Sequence, residues 1–235
     1  MLNLFRNNTT QVENAYIITV RGNPSSERYS ARCQESCQQV GMPYTVWDAY
    51  DGTRPGDIRP PEQLKDDSFM SLIKISDHYM TRGEVACALS HISLWLHCAK
   101  IDKPIVIMEH DAVMVKKFDE IESYNAIVYL GGSEWANKGW KIYPIPPHAS
   151  DGRNNLFICR AHAYAIDPII AKNLLSYILK HGITSPLDIM MRADLFTIVH
   201  QGFYACDIPG DALDTTIAAR PLEGRTTKRN EELKW

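Results

Sequence analysis

The octapeptide Val106-Ile107-Met108-Glu109-His110-Asp111-Ala112-Val113, VIMEHDAV, completes an apolar run that begins at Ile105 and then meets three ionisable side chains in succession. The run IVIM suits a strand in the middle of a sheet. Charged groups are costly to bury alone, so the strand is expected to end at Glu109 and offer its carboxylates to a cleft. In extended chain, residues i and i+2 point the same way, which places Glu109 beside Asp111 and turns His110 to the opposite face. Two carboxylates at a strand end are a partial ligand set for Mg2+ or Mn2+, ions that take oxygen donors and also hold substrate phosphates. An acid-x-acid tripeptide alone is common on surfaces, and it is the strand in front that gives this one its context.

Outward from that strand, the segment TRGEVACALSHISLWLHCAKI (81–101) carries apolar residues at 85, 88, 89, 92, 95, 96 and 99, the period of an amphipathic helix. Earlier still, AYIITV (15–20) predicts a strand. RGNPSS follows, with Ser25 or Ser26 as cap of a helix that runs to Val40 and stops at Gly41. PYTVWDAYDG then predicts a second strand closed by an Asp-Gly turn. This β-α-β spacing opens a parallel sheet with crossover helices. Residues 53–68, with three prolines, are expected to form an irregular surface excursion.

Downstream, KKFDEIESY predicts a short helix and AIVYLGG a strand. Residues 133–155, with Trp135 and Trp140, have no period; loops this long in compact domains are more often lids or binding loops than spacers. LFICRAHAYAID predicts strand pairs, PIIAKNLLSYILKHG a helix ended by Gly182, and PLDIMMRADLF another helix. The expected architecture is α/β: one domain over 1–219 with a mostly parallel central sheet and flanking helices, then a basic tail over 220–235.

With 235 residues and 45% hydrophobic composition the chain can bury a substantial core. A formal charge of -3 gives no global electrostatic reason for binding nucleic acid or anionic membrane. No secretory signal and no 18-residue apolar run is present, so a cytoplasmic protein without membrane insertion is expected, and no obligate protein partner is evident. The six cysteines (33, 37, 87, 98, 159, 206) contain no CxxC pair and read as reduced thiols. Cys33 and Cys37 share a helix face at i, i+4, a half-site without a second pair, for which packing is the better reading.

Three separated segments carry a resemblance. AYIITV…ERYSARC…VGMPYTVWDAYDG, TRGEVACALSHISLW and IVIMEHDAVM resemble, in the same order, the opening strand and A-x-D-G turn, the GE-x-GC-x-SH helix and the acidic strand end of glycosyltransferase family 25, the lipooligosaccharide-type and collagen-type sugar transferases. AIVYLGG, AYAIDPIIAKNLL and PLDIMM are weaker matches. The resemblance implies a GT-A-like domain and a transferase that takes a sugar from a nucleotide-diphosphate sugar, typically a UDP-sugar, with Mn2+ or Mg2+, and suggests inversion at the anomeric carbon. One departure concerns the acidic motif: His110 stands where the family pattern has a middle Asp, and either substitutes as a neutral donor or weakens the site.

Carried over residue by residue, the resemblance makes Asp111 and Glu109 metal ligands and Glu84, Ser90 and His91 contacts of the nucleotide. The plainer readings are that Glu84 favours the first turn of a helix and that His91 is a satisfied buried histidine. Arg28 is either a diphosphate contact, for which its fork is suited, or a solvated helix residue. Asp188 in SPLDIMM is a candidate catalytic base, or else a helix cap. His200, after FTIV, is a candidate late metal ligand, although most lone histidines are not.

The acceptor stays open between a glycan or lipooligosaccharide and, by similarity to compact phage-encoded members, a hydroxylated base of duplex DNA. The second would require base flipping and phosphate contacts, for which Lys138, Lys141 and the basic tail are available. The rival of another class is a non-catalytic sugar-nucleotide or glycan-binding module with a degenerate metal site. A two-metal phosphoesterase is disfavoured by too few clustered His and Asp residues.

Overall fold

The structure is a computed structural model that describes residues 10–54, 57–76, 80–121, 125–132 and 161–207. In chain order its elements are β1 (Thr10–Gln11), β2 (Ala15–Thr19), α1 (Pro24–Val40), β3 (Tyr44–Asp48), α2 (Arg82–Ile101), β4 (Ile105–Glu109), β5 (Ala112–Met114), β6 (Glu120–Ile121), β7 (Ile127–Gly132), β8 (Ala163–Ile166), α3 (Pro168–His181), α4 (Leu187–Met190) and β9 (Ile198–Asp207).

Each helix begins and ends on recognisable chemistry. Asn23, rather than Ser25 or Ser26, caps α1: its side chain accepts from the Ser26 amide, Pro24 follows, and Gly41 closes the helix at φ 72. Ser26 instead accepts the Val20 amide at 2.9 Å and ties the end of β2 to α1. Thr81 and Glu84 cap α2 reciprocally, Thr81 Oγ1 accepting the Glu84 amide while the Glu84 carboxylate accepts the Thr81 amide. Asp167 caps α3 by accepting from Ile169 and Ile170.

The large sheet runs β3-β2-β4-β8-β7-β9-β5, and β1 pairs with β6 in a small one. The expected β-α-β opening is present, since β3, β2 and β4 are parallel neighbours. The expectation of a mostly parallel sheet is corrected: β8 is antiparallel to both β4 and β7, β5 is antiparallel to β9, and among the described strands only β7 and β9 add a further parallel pair. The reason is local. Chain that re-enters a sheet without a crossover helix packed on its face can reverse, and apolar composition does not encode direction.

Side chains alternate across the sheet into two cores. Ile105 and Ile107 of β4 join Ile18, Tyr129, Tyr164 and Ile166 beneath α2 and α3. Val106 and Met108 join Ile17, Val128, Leu130 and Ala163 against Cys33 and Cys37 of α1. The sheet is thus covered by helices on both faces, as its near-continuous apolar strands demand.

Two residues separate β4 from β5, yet these strands stand third and seventh in the sheet. Three residue steps reach roughly 10 Å, against about 19 Å for four strand spacings, so the sheet curls to bring its far edge back to the end of β4. A register break between Tyr129 and Gly131 of β7 lets β9 make that bend, with Gly202 at φ 146 inside it.

Other expectations need correction. Part of the predicted KKFDEIESY helix is strand β6, held by antiparallel pairing with β1, and Phe118 and Ile121 are buried beside it. The PLDIMMRADLF helix shrinks to one turn, α4. The excursion over 53–68 is less superficial than its prolines suggest, because Ile58 and Leu64 are buried. The Trp135 and Trp140 loop, Lys138, Lys141 and the basic tail lie outside the described residues. No helix among the described residues is long and apolar enough to cross a membrane, and Cys33, Cys37, Cys87, Cys98 and Cys206 are free thiols.

Candidate active site

Parallel strands end together at one edge, and ligand sites of open α/β sheets form there. A cleft of about 550 Å³, open solvent at its mouth included, lies at the carboxyl ends of β2, β3 and β4. Ile18 and Val20 line it from β2, Ala49, Tyr50 and Gly52 from the exit of β3, and Glu109, His110 and Asp111 from the exit of β4. The first turns of α2 close it with Gly83, Ala86, Cys87, Ser90 and His91.

The close approach of α2 to β3 depends on small and polar residues. A Cβ at Gly52 would collide with the Arg82 carbonyl and stand 2.8 Å from Ala86 Cβ, so glycine lets the loop lie against the helix start. Ser90 accepts the Tyr50 amide at 2.9 Å and donates to the Ala86 carbonyl at 2.7 Å, joining β3 to α2. Burial and the nearby Asp67 push the Tyr50 phenol up to about 12, so it stays protonated in the cleft wall.

Glu109 obeys strand alternation: it lies on the α2 side, where its Oε1 is 3.3 Å from His91 Nε2 and 3.9 Å from Cys87 Sγ. Burial raises its carboxyl, but the His91 contact and the imidazoles of His91, His110 and His162 outweigh this and hold it below the ordinary carboxylate range. Its amide donates to the His162 carbonyl at 2.9 Å, which fixes the end of β4 against β8. Behind it, His91 is fully buried; Nδ1 and the Tyr164 hydroxyl are 2.8 Å apart, and that hydroxyl accepts from Trp95 Nε1 at 2.9 Å.

His110 faces the other way, with its ring against Tyr29 of α1 at 6.2 Å between centroids. Burial lowers its affinity for a proton against the upward pull of Glu109, leaving a neutral imidazole near pH 7. Asp111 joins Glu109 at the cleft, through a turn rather than through continued strand. The chain turns at His110 and Asp111 before β5, and all three residues border the cleft, with Asp111 near enough to raise the thiols of Cys87 on α2 and Cys33 on α1.

The remaining candidates divide. Ser90 and His91 line the cleft. Glu84 directs its carboxylate to the Thr81 amide at 2.8 Å, and Gly83 takes the lining position beside it. Arg28 is exposed on α1, donating to the Tyr29 hydroxyl at 3.3 Å and lying 4.9 Å over that ring, one side chain removed from His110. Asp188 is half-buried in the first turn of α4 and its charge helps to raise the Cys87 thiol, but it is not among the residues that line the cleft; Pro186, not Asp188, occupies the cap position. His200 pairs by its backbone with Tyr129, level with Tyr164 and Ile107 in mid-sheet rather than at the strand ends.

All the residues lining the cleft, from Ile18 to Asp111, fall within one stretch matched by a family model, that of glycosyltransferase family 25 (LPS biosynthesis protein), over residues 14–143. The match covers more than half of the chain. The chain belongs to glycosyltransferase family 25. No curated protein matches it. For a family-25 chain, the matched part comprises the parallel trio β3-β2-β4, α1, α2 and the acidic turn, whereas Asp188 and His200 lie beyond it.

Sequence reading missed Cys87, Tyr50, Gly52 and Tyr164. Cys87 had a signal, its i, i+4 spacing from His91 on one helix face. Tyr164, in an apolar strand, had none.

Proposed function

We propose that this family-25 glycosyltransferase uses the cleft at the ends of β2, β3 and β4 as its donor site, taking a sugar from a nucleotide-diphosphate sugar of the UDP type. The observation that carries the reading is the convergence of Glu109, His110 and Asp111 on the edge where three parallel strands end, opposite the start of α2. The parallel trio with α1 and α2 serves as the nucleotide-binding half of a GT-A-like domain. Asp111 and Glu109 both face the cleft and supply hard oxygen donors, a set that fits Mn2+ or Mg2+. A divalent ion held there would offset the charge of the departing diphosphate.

The chain's own residues do the rest. Tyr50 and Ala49 form an apolar wall, and Gly52 and Gly83 let backbone approach the ligand closely. In this reading Asp188, whose charge reaches Cys87, takes the acceptor hydroxyl's proton as general base. Arg28, exposed over the Tyr29 ring that packs against His110, is the cation that we assign to the diphosphate.

The acceptor is a hydroxyl of a glycan or of a modified DNA base. The test is a donor screen with Mn2+ or Mg2+, following release of nucleoside diphosphate, with EDTA and Asp111→Ala as controls. Metal-dependent turnover of one donor that Asp111→Ala abolishes is the expected result; full activity in Asp111→Ala overturns the site. Donor binding without turnover in the presence of every acceptor class would instead identify a binding module. No binding to duplex DNA at low salt would remove the DNA branch.

A further inference from the structure

Within the cleft, three donor atoms of different hardness converge. Cys87 Sγ, His91 Nε2 and a Glu109 carboxylate oxygen all lie within 4.8 Å of one another. We infer that Cys87, His91 and Glu109 form a binding site for a zinc-class divalent ion, which shares Glu109 with the oxygen-donor site assigned to Asp111 and Glu109 and differs from it in its thiolate and imidazole donors.

The spacing fits. Tetrahedral coordination with zinc-to-ligand bonds of roughly 2.0–2.3 Å places neighbouring donors about 3.3–3.7 Å apart. Nε2 to Oε1 is 3.3 Å and Sγ to Oε1 is 3.9 Å, so small rotamer adjustments close the set. A thiolate, an imidazole and one carboxylate select zinc and its neighbours over Mg2+, which prefers oxygen.

A second observation points to a ligand. His91 is fully buried, its ring lines the cleft, and Nε2 makes no hydrogen bond of good geometry although the carboxylate is close. The other ring nitrogen has its partner, Nδ1 lying 2.8 Å from the Tyr164 hydroxyl; metal binding through Nε2 uses the tautomer that carries its proton on Nδ1, the ion then taking the place of the proton between Nε2 and Glu109. Metal-binding histidines characteristically have such an outer partner, and Tyr164 is itself fixed by Trp95. Coordination breaks the Cys87 S–H bond, the electron pair going to the metal and the proton to solvent. Three protein ligands leave the fourth position for water or a ligand oxygen from the cleft.

The test needs no sugar donor, so its failure and the failure of the donor-site reading are separable. The full chain, stripped with EDTA, is titrated with Co2+ as a spectroscopic stand-in for zinc. One equivalent should produce a near-ultraviolet thiolate-to-cobalt charge-transfer band with visible bands of low coordination number, and Zn2+ should displace both. Cys87→Ala, checked for folding by circular dichroism, should lose the charge-transfer band. Tyr164→Phe should keep it and weaken affinity by about 10–100-fold. No band in the wild-type chain, or a band that survives Cys87→Ala, overturns the assignment.

Discussion

His91 Nε2 stands 3.3 Å from the Glu109 carboxylate, joining the buried middle of α2 to the end of β4 at the cleft. The histidine in turn contacts Tyr164 of β8 through Nδ1. Replacing it with Phe keeps most of the volume but takes one partner from the buried Tyr164 hydroxyl, which keeps Trp95, and removes a contact that keeps Glu109 ionised. His91→Phe should therefore destabilise the fold by about 1–3 kcal/mol, the cost of taking partners from buried polar groups. Urea unfolding with an unchanged midpoint would show that His91 contributes packing alone.

Glu84 separates two readings of one residue. Its carboxylate completes the cap of α2 on Thr81, and glutamine can do the same in a capping box. Glu84→Gln should stay within about 0.5 kcal/mol of wild type in stability and retain donor turnover, while Thr81→Ala should cost about 1 kcal/mol. Loss of turnover in Glu84→Gln at unchanged stability would make the charge itself part of the nucleotide site.

Gly52 sits where the exit of β3 touches the start of α2. An added methyl meets the Arg82 carbonyl, which is backbone and cannot swing away, so the helix start must shift. Gly52→Ala should destabilise by about 1–3 kcal/mol, as overpacked sites do, and should weaken donor binding because the same shift narrows the cleft. A variant as stable as wild type, measured by thermal and urea unfolding, would show that the loop yields instead.

Much of this was written in local chemistry. The strand at 105–109 and the helix at 82–101 follow from an apolar run and a 3.6-residue period, and Thr81, Gly41 and Gly182 mark ends that capping rules recognise. The acidic turn was found because ionisable groups after an apolar strand need an explanation. Sheet direction was not readable: β8 is as apolar as β4, yet it runs antiparallel to it. The curl that returns β5 to β4 arises from a register break in β7 and β9, which no short motif announces. Tyr164 was invisible for a related reason, since its role beneath His91 depends on strand order.

His97 offers a pH signature away from the cleft. It lies on α2 with Nε2 2.9 Å from the Tyr16 hydroxyl, and its ring is packed against Tyr16 and Trp47 at 4.9 Å each. Burial, with a smaller push from Lys100, lowers its proton affinity in the folded chain. The unfolded chain therefore takes the proton first as the pH falls through about 6.5, and stability declines from there until the folded histidine also protonates. His97→Gln removes that titration. Between about pH 7.5 and 5.5, across the range where histidine ionises, the melting temperature should fall less in His97→Gln than in wild type. Parallel curves for the two proteins would mean that His97 titrates alike in the folded and unfolded chains, and that its contacts with Tyr16 and Trp47 do not oppose its charge.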